Sequence, residues 1–107
     1  MTDKTLEMIM KRRSVRSFTG AAITKEQIET ILKAAMAAPS ANNSQPWEFV
    51  VVTARERIEQ ICNAHPYAKF GVHAGAVVIP FGDERSSTHF LEDMAAATEN
   101  PSSAIEF

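Results

Sequence analysis

The chain has 107 residues, 45% of them hydrophobic and 22% charged, which suits a single globular domain over 1–107 and excludes a disordered or fibrous chain. A formal net charge of −2 gives no basis for bulk binding to nucleic acid or to an anionic membrane surface. No apolar run approaches the roughly 20 residues that span a bilayer, residues 1–10 carry Asp3, Lys4 and Glu7 where a signal peptide has its apolar core, and the single cysteine, Cys62, has no internal partner, so a cytoplasmic, reducing setting is expected.

Leu6, Ile9 and Met10 recur at helical spacing and predict an amphipathic helix up to about residues 11–13. "RRSVRSF", 12–18, follows, and Gly20 breaks the pattern. "TKEQ", 24–27, reads as a capping box, and Ile28, Ile31, Leu32, Ala35 and Met36 form the stripe of a second helix. That helix stops before Pro39, because the residue preceding a proline is pushed out of the helical region. After an amide-rich loop, the β-branched run "EFVVVT", 48–53, predicts a buried strand. Ile58, Ile61 and Cys62 restore helical spacing over 54–64, and "HPYAKFGVHAG", 65–75, predicts a loop or broken helix. "AVVIPF", 76–81, predicts a second strand, with Pro80 at its end or on an edge because it lacks an N–H. "GDERSS", 82–87, is a turn. Phe90, Leu91, Met94, Ala95 and Thr98 predict a fourth helix ending near Asn100, before Pro101. Two strands make a poor sheet alone, so a partner chain or further sequence is expected to complete it.

Familiar phosphate cradles are missing from the sequence: no G-x-G-x-x-G follows a strand and no G-x-x-x-x-G-K-[ST] occurs. His65, His73 and His89 lack the spacing of zinc ligands, so no metal is expected. Cys62 lies on an apolar stripe and reads as a small core residue, not a nucleophile. Glu92 and Asp93 read as a solvated helix face, and the five methionines mostly as core.

Two polar groups remain. Arg12, Arg13, Ser14 and Arg16 put guanidinium forks and a hydroxyl just after a helix, a chemistry that holds phosphate oxygens in pairs. The alternative is a basic helix end favoured by the helix dipole. Ser40, Asn42, Asn43 and Gln45 precede Pro46 and Trp47, and amides that donate and accept at once suit the edge of a polar heterocycle such as an isoalloxazine or uracil-like ring. The alternative there is a turn-rich loop capped by its own side chains. Together the groups offer the two ends of a mononucleotide.

With these blocks in view, the chain resembles the nitroreductase family of FMN-dependent oxidoreductases. The resemblance rests on "RRSVRSF" (12–18), "ITKEQIETILKAAMAAPSANNSQPWEFVVV" (23–52), "HPYAKF" (65–70) and "EDMAAATEN" (92–100) after "FGD" (81–83). No single block is specific; the combination of R-x-S-x-R, P-S-x-x-N-x-Q-P-W and A-A-x-E-N is. It implies an α+β fold with a mainly antiparallel central sheet flanked by helices, and an obligate, intertwined homodimer. It also implies that Arg12, Arg13, Ser14 and Arg16 hold the phosphate and ribityl end of FMN. Pro39, Ser40, Ala41, Asn43 and Gln45 would then approach a flavin across the dimer interface. The implied chemistry is the cofactor's: NAD(P)H donates a hydride through FMN to a small acceptor such as a nitroaromatic or quinone, with no catalytic side chain required.

After "AAATEN" the family pattern continues as an apolar helix, whereas this chain reads "PSSAIEF". The expectation is therefore a C-terminally truncated or diverged member with an incomplete sheet and exposed apolar surface on the fourth helix. A non-catalytic flavin-binding or dimerisation remnant, and an unrelated small α/β interaction domain, are the alternatives.

Overall fold

Thr2 opens the first helix of the computed structural model, which describes residues 2–104. Its hydroxyl accepts from the Thr5 N–H at 3.1 Å, and α1 runs over Asp3–Lys11. The predicted stripe exists, but the described residues leave it largely exposed: Leu6, Met8 and Ile9 are exposed, and Met10 is 76% exposed. Residues 12–24 then carry no regular element.

The capping box holds as read. The Thr24 hydroxyl accepts from the Gln27 N–H at 3.1 Å, the Gln27 side chain accepts from the Thr24 N–H at 2.9 Å, and α2 spans Lys25–Met36. Ala35 is buried and Ile28, Ile31 and Leu32 are half-buried, whereas Met36 faces out. With Met8 and Met10 also exposed, the methionines are not mainly core residues; long flexible side chains at the rims of helices remain in water where no partner element covers them.

Strands β1 (Trp47–Val52) and β2 (Val77–Gly82) pair antiparallel, with Trp47 opposite Gly82, Phe49 opposite Pro80 and Val51 opposite Val78. Since residues alternate across a strand, Trp47 and Phe49 share one face and Val50, Ile79 and Phe81 the other. The first face packs on Ala38, Met94, Ala96 and Ala97. The second leaves Val50, Ile79 and Phe81 exposed, so beyond Trp47 β1 is only partly covered among the described residues and not the buried strand its composition suggests. Pro80 has a neighbouring strand on one side only, which is where a residue without an N–H fits. Gly82 is required: a Cβ there would lie 2.1 Å from the Pro46 carbonyl oxygen.

Helix α3 (Arg55–Ala64) buries Ile58 and Cys62 against a 3-10 segment, Lys69–His73. A second 3-10 turn, Glu84–Ser86, is capped by Asp83, and the Arg85 side chain grips that carboxylate and holds it below its ordinary pKa. It leads into α4 (Phe90–Ala104), the spine of the chain, which contacts α1, α2 and both strands. Buried alanines (Ala35, Ala38 and Ala97) line the approach of α4 to α2 and the sheet, so side-chain bulk does not hold these elements apart.

Three readings of α4 need correction. The helix continues through Pro101 to Ala104 instead of ending near Asn100. A proline costs one N–H bond and some strain, and the Asn100 amide offsets this by donating to the Ala34 carbonyl at 3.0 Å, which ties that turn to α2. The inward face is Phe90, Asp93, Met94, Ala97 and Asn100, not the stripe through Leu91, Ala95 and Thr98; Leu91 is 77% exposed. Asp93, read as a solvated carboxylate, is 5% exposed. The final segment, 105–107, lies outside the described residues.

Candidate functional site

The basic block begins where α1 ends. Arg12 takes an extended conformation (φ −57°, ψ 130°), which swings the chain out of the helix. Within the block Val15 is half-buried while Arg12, Arg13, Ser14 and Arg16 are exposed. The Arg12 Nε lies 3.5 Å from Glu99 Oε1 on α4, an exposed pair worth at most about 1 kcal/mol. Arg13 and Arg16 have no carboxylate within ion-pair distance among the described residues. The Arg16 guanidinium lies instead over the Phe70 ring, 6.0 Å from its centroid, and Phe70 stacks on Phe18 at 6.2 Å.

The amide block has an unusual backbone. After α2 the chain passes Pro39 and Ser40 and makes a 3-10 turn at Ala41–Asn43. Asn42 (φ 54°), Asn43 (φ 52°) and Gln45 (φ 47°) all lie in the left-handed region. Asparagine tolerates that region, whereas glutamine enters it at a cost of about 1–2 kcal/mol. Such strain persists only where surrounding contacts over-determine it, and it gathers at functional sites. Here the contacts are clear. The Ser40 hydroxyl accepts from the Gln45 N–H at 3.0 Å, closing the loop on itself. The Ala41 N–H donates to Asp93 Oδ1 at 3.0 Å. The second oxygen of Asp93 accepts from the Ser87 hydroxyl, which itself accepts from the His89 N–H at 3.1 Å. Buried Pro46 and Trp47 fix the exit.

This backbone leaves the side-chain amides of Asn42, Asn43 and Gln45 exposed and without a hydrogen bond among the described residues. The Ser44 hydroxyl is buried with no partner among the described residues. Exposed amides are hydrogen-bonded to water, and can exchange that water for a ligand at little net cost. A polar ligand edge suits them.

Both blocks lean on α4. Asp93 holds the amide loop and Glu99 meets the basic block, six residues later and therefore roughly 9 Å along the axis. Sequence reading found both blocks but missed Asp93, which fastens one, and the Phe18–Phe70 pair beneath the other. The available signal for Asp93 was its position three residues after Phe90 and four before Ala97, on the face that turns inward. Among the described residues no cluster of His, Cys, Asp or Glu has the geometry of a metal site, and no helix is long and apolar enough to cross a membrane.

The sequence model of the Nitroreductase family matches residues 9–99, and so covers both blocks. A protein of Archaeoglobus fulgidus named "Putative NADH dehydrogenase/NAD(P)H nitroreductase" is 40% identical over 102 residues, covering 92% of this chain and 59% of that protein. The crystal structure of a like-named protein from Bacteroides thetaiotaomicron superposes with a TM-score of 0.90 at 36% identity, covering 97% of this chain and 62% of that one. The crystal structure of a Desulfovibrio desulfuricans protein described as a "putative nitroreductase in complex with fmn" superposes with a TM-score of 0.84 at 30% identity, over 97% of this chain and 63% of that one. The chain thus spans about three-fifths of the length of these relatives. With its α+β arrangement and both polar blocks inside the matched region, the chain belongs to the nitroreductase family.

Proposed function

We propose that this chain provides the phosphate-binding and ring-edge groups of an FMN-dependent oxidoreductase that works as a homodimer. The observation that carries the reading is that two polar blocks both contact α4: one presents Arg13 and Arg16, with no carboxylate partner among the described residues, and the other the amides of Asn43 and Gln45 on a strained loop, with no hydrogen bond among the described residues. Arg12, Arg13 and Arg16 would bind phosphate oxygens, with the Ser14 hydroxyl adding a donor near the ribityl chain. Phosphate would displace Glu99 from Arg12, since an exposed ion pair is weak.

Pro39, Ser40, Ala41, Asn43 and Gln45 would address the flavin ring, donating and accepting along its polar edge. In the homodimer this loop would reach a flavin held mainly by the basic block of the second copy. Two apolar surfaces supply area for such a partner: the outer face of α1, and the sheet face with Val50, Ile79 and Phe81. When bound, FMN supplies hydride transfer from NAD(P)H to a nitroaromatic or quinone-type acceptor. The side chains bind and orient, and none is assigned as acid or base.

The bare sheet face also favours a second reading, a non-catalytic flavin-binding or dimerisation module. Oxidation of NADH or NADPH by the purified chain, with FMN and a quinone present, separates the two. Quinone-dependent loss of NAD(P)H absorbance above a no-protein control supports the enzyme. Flavin binding or self-association without turnover supports the module, and a monomer with neither binding nor turnover refutes both.

A further inference from the structure

Among the described residues, Arg16 is the one cation of the basic block placed over an aromatic ring, and that ring, Phe70, belongs to a segment outside the block. We infer that Phe70 and Arg55 are positioning residues for Arg16, setting where its charge meets the cofactor phosphate. This inference rests on the FMN reading given above.

Phe70 belongs to the 3-10 segment Lys69–His73, a short element that cannot hold its own position. Two contacts fix it to α3. Gly71 packs so closely on Cys62 that a Cβ there would sit 2.8 Å from the buried sulfur. Arg55, from the first turn of α3, donates from one guanidinium nitrogen to the Val72 carbonyl and from the other to the Ala74 carbonyl, the latter at 2.7 Å. That fork ties the end of the segment to α3. The Phe70 ring is thereby presented outward, 43% exposed, with Phe18 stacked on it at 6.2 Å and the Arg16 guanidinium at 6.0 Å. Phe18 lies two residues beyond Arg16, so the same ring anchors the chain that carries the charge.

The physical effect is preorganisation. A free arginine gives up several rotamers when it binds a phosphate, whereas one already resting on a ring gives up fewer. The ring face attracts the cation without neutralising it, unlike a carboxylate.

The test is the ratio of FMN to riboflavin affinity, which isolates the phosphate, measured by flavin fluorescence titration. Phe70→Leu keeps an apolar side chain at an exposed position and should lower this ratio about two- to fivefold. Arg55→Lys, which keeps the charge but loses the fork, should lower it in the same direction. In the Arg16→Ala background Phe70→Leu should produce no further loss, because the ring acts through that guanidinium. A second readout needs no flavin: the Arg16 δ-methylene protons should show an upfield ring-current shift in the free protein, lost in Phe70→Leu. If Arg16→Ala abolishes the FMN preference but Phe70→Leu and Arg55→Lys retain it, the positioning inference fails and the FMN reading stands. An equal loss with and without Arg16, or no ring-current shift in the parent chain, also overturns it. If the parent chain binds FMN no better than riboflavin, the phosphate assignment itself fails and takes this inference with it.

Discussion

Replacing Asp93 by alanine removes the one carboxylate that fastens the amide loop to α4. Its Oδ1 accepts from the Ala41 N–H at 3.0 Å and its other oxygen accepts from the Ser87 hydroxyl. Hydrogen bonds to a charged group contribute about 1.5–3 kcal/mol each, which sets an upper bound of about 3–6 kcal/mol for the pair. Ser87 is only half-buried and can turn its hydroxyl to water, so the Ala41 bond dominates and a net loss of about 2–4 kcal/mol is expected. In a domain of this size that lowers Tm by on the order of 10–20 °C. Asp93→Asn keeps the shape and one acceptor oxygen, and should cost about half as much. Thermal unfolding followed by circular dichroism gives the global number. Hydrogen exchange at the Ala41 amide gives the local one, because that N–H loses its only acceptor. A shift in Tm of less than about 2 °C, the size expected of an ordinary surface substitution, would refute the reasoning, as would an Ala41 amide that stays protected.

Arg12→Ala and Arg16→Ala should each weaken FMN binding roughly ten- to a hundredfold, as the loss of a charge-assisted bond implies, and unchanged titration curves in both would remove the phosphate assignment. Gly82→Ala should destabilise the chain markedly, because its Cβ meets the Pro46 carbonyl oxygen, which is backbone and cannot swing away; an unaltered denaturation midpoint would contradict that packing. Thr24→Ala breaks the capping box at α2 and should cost about 0.5–2 kcal/mol in urea unfolding, with no change in flavin affinity if the cap serves only the helix.

What could be read from the residues alone was mostly local. The α2 boundary was legible because Thr24 and Gln27 satisfy each other across three residues and need no other part of the chain. Strand positions were legible from β-branched runs, though not their exposure, which depends on what covers each face. Two of the misreadings share a cause, a contact distant in sequence. Asp93 looks like a surface carboxylate until Ala41, 52 residues earlier, is seen to need its oxygen. Pro101 looks like a terminator until Asn100 is seen tied to Ala34, 66 residues earlier. The two candidate blocks were found by residue type and spacing, but the left-handed backbone that frees the amides was not, since Gln45 carries no local signal for positive φ.

On the proposed function, the residues of this chain hold FMN in a dimer. The most direct test is the visible spectrum of the purified chain after loading with FMN and exhaustive dialysis, recorded with its mass in solution. A yellow dimer retaining flavin in proportion to protein is expected. A colourless protein that returns all added FMN to the dialysate would contradict it, whatever its oligomeric state.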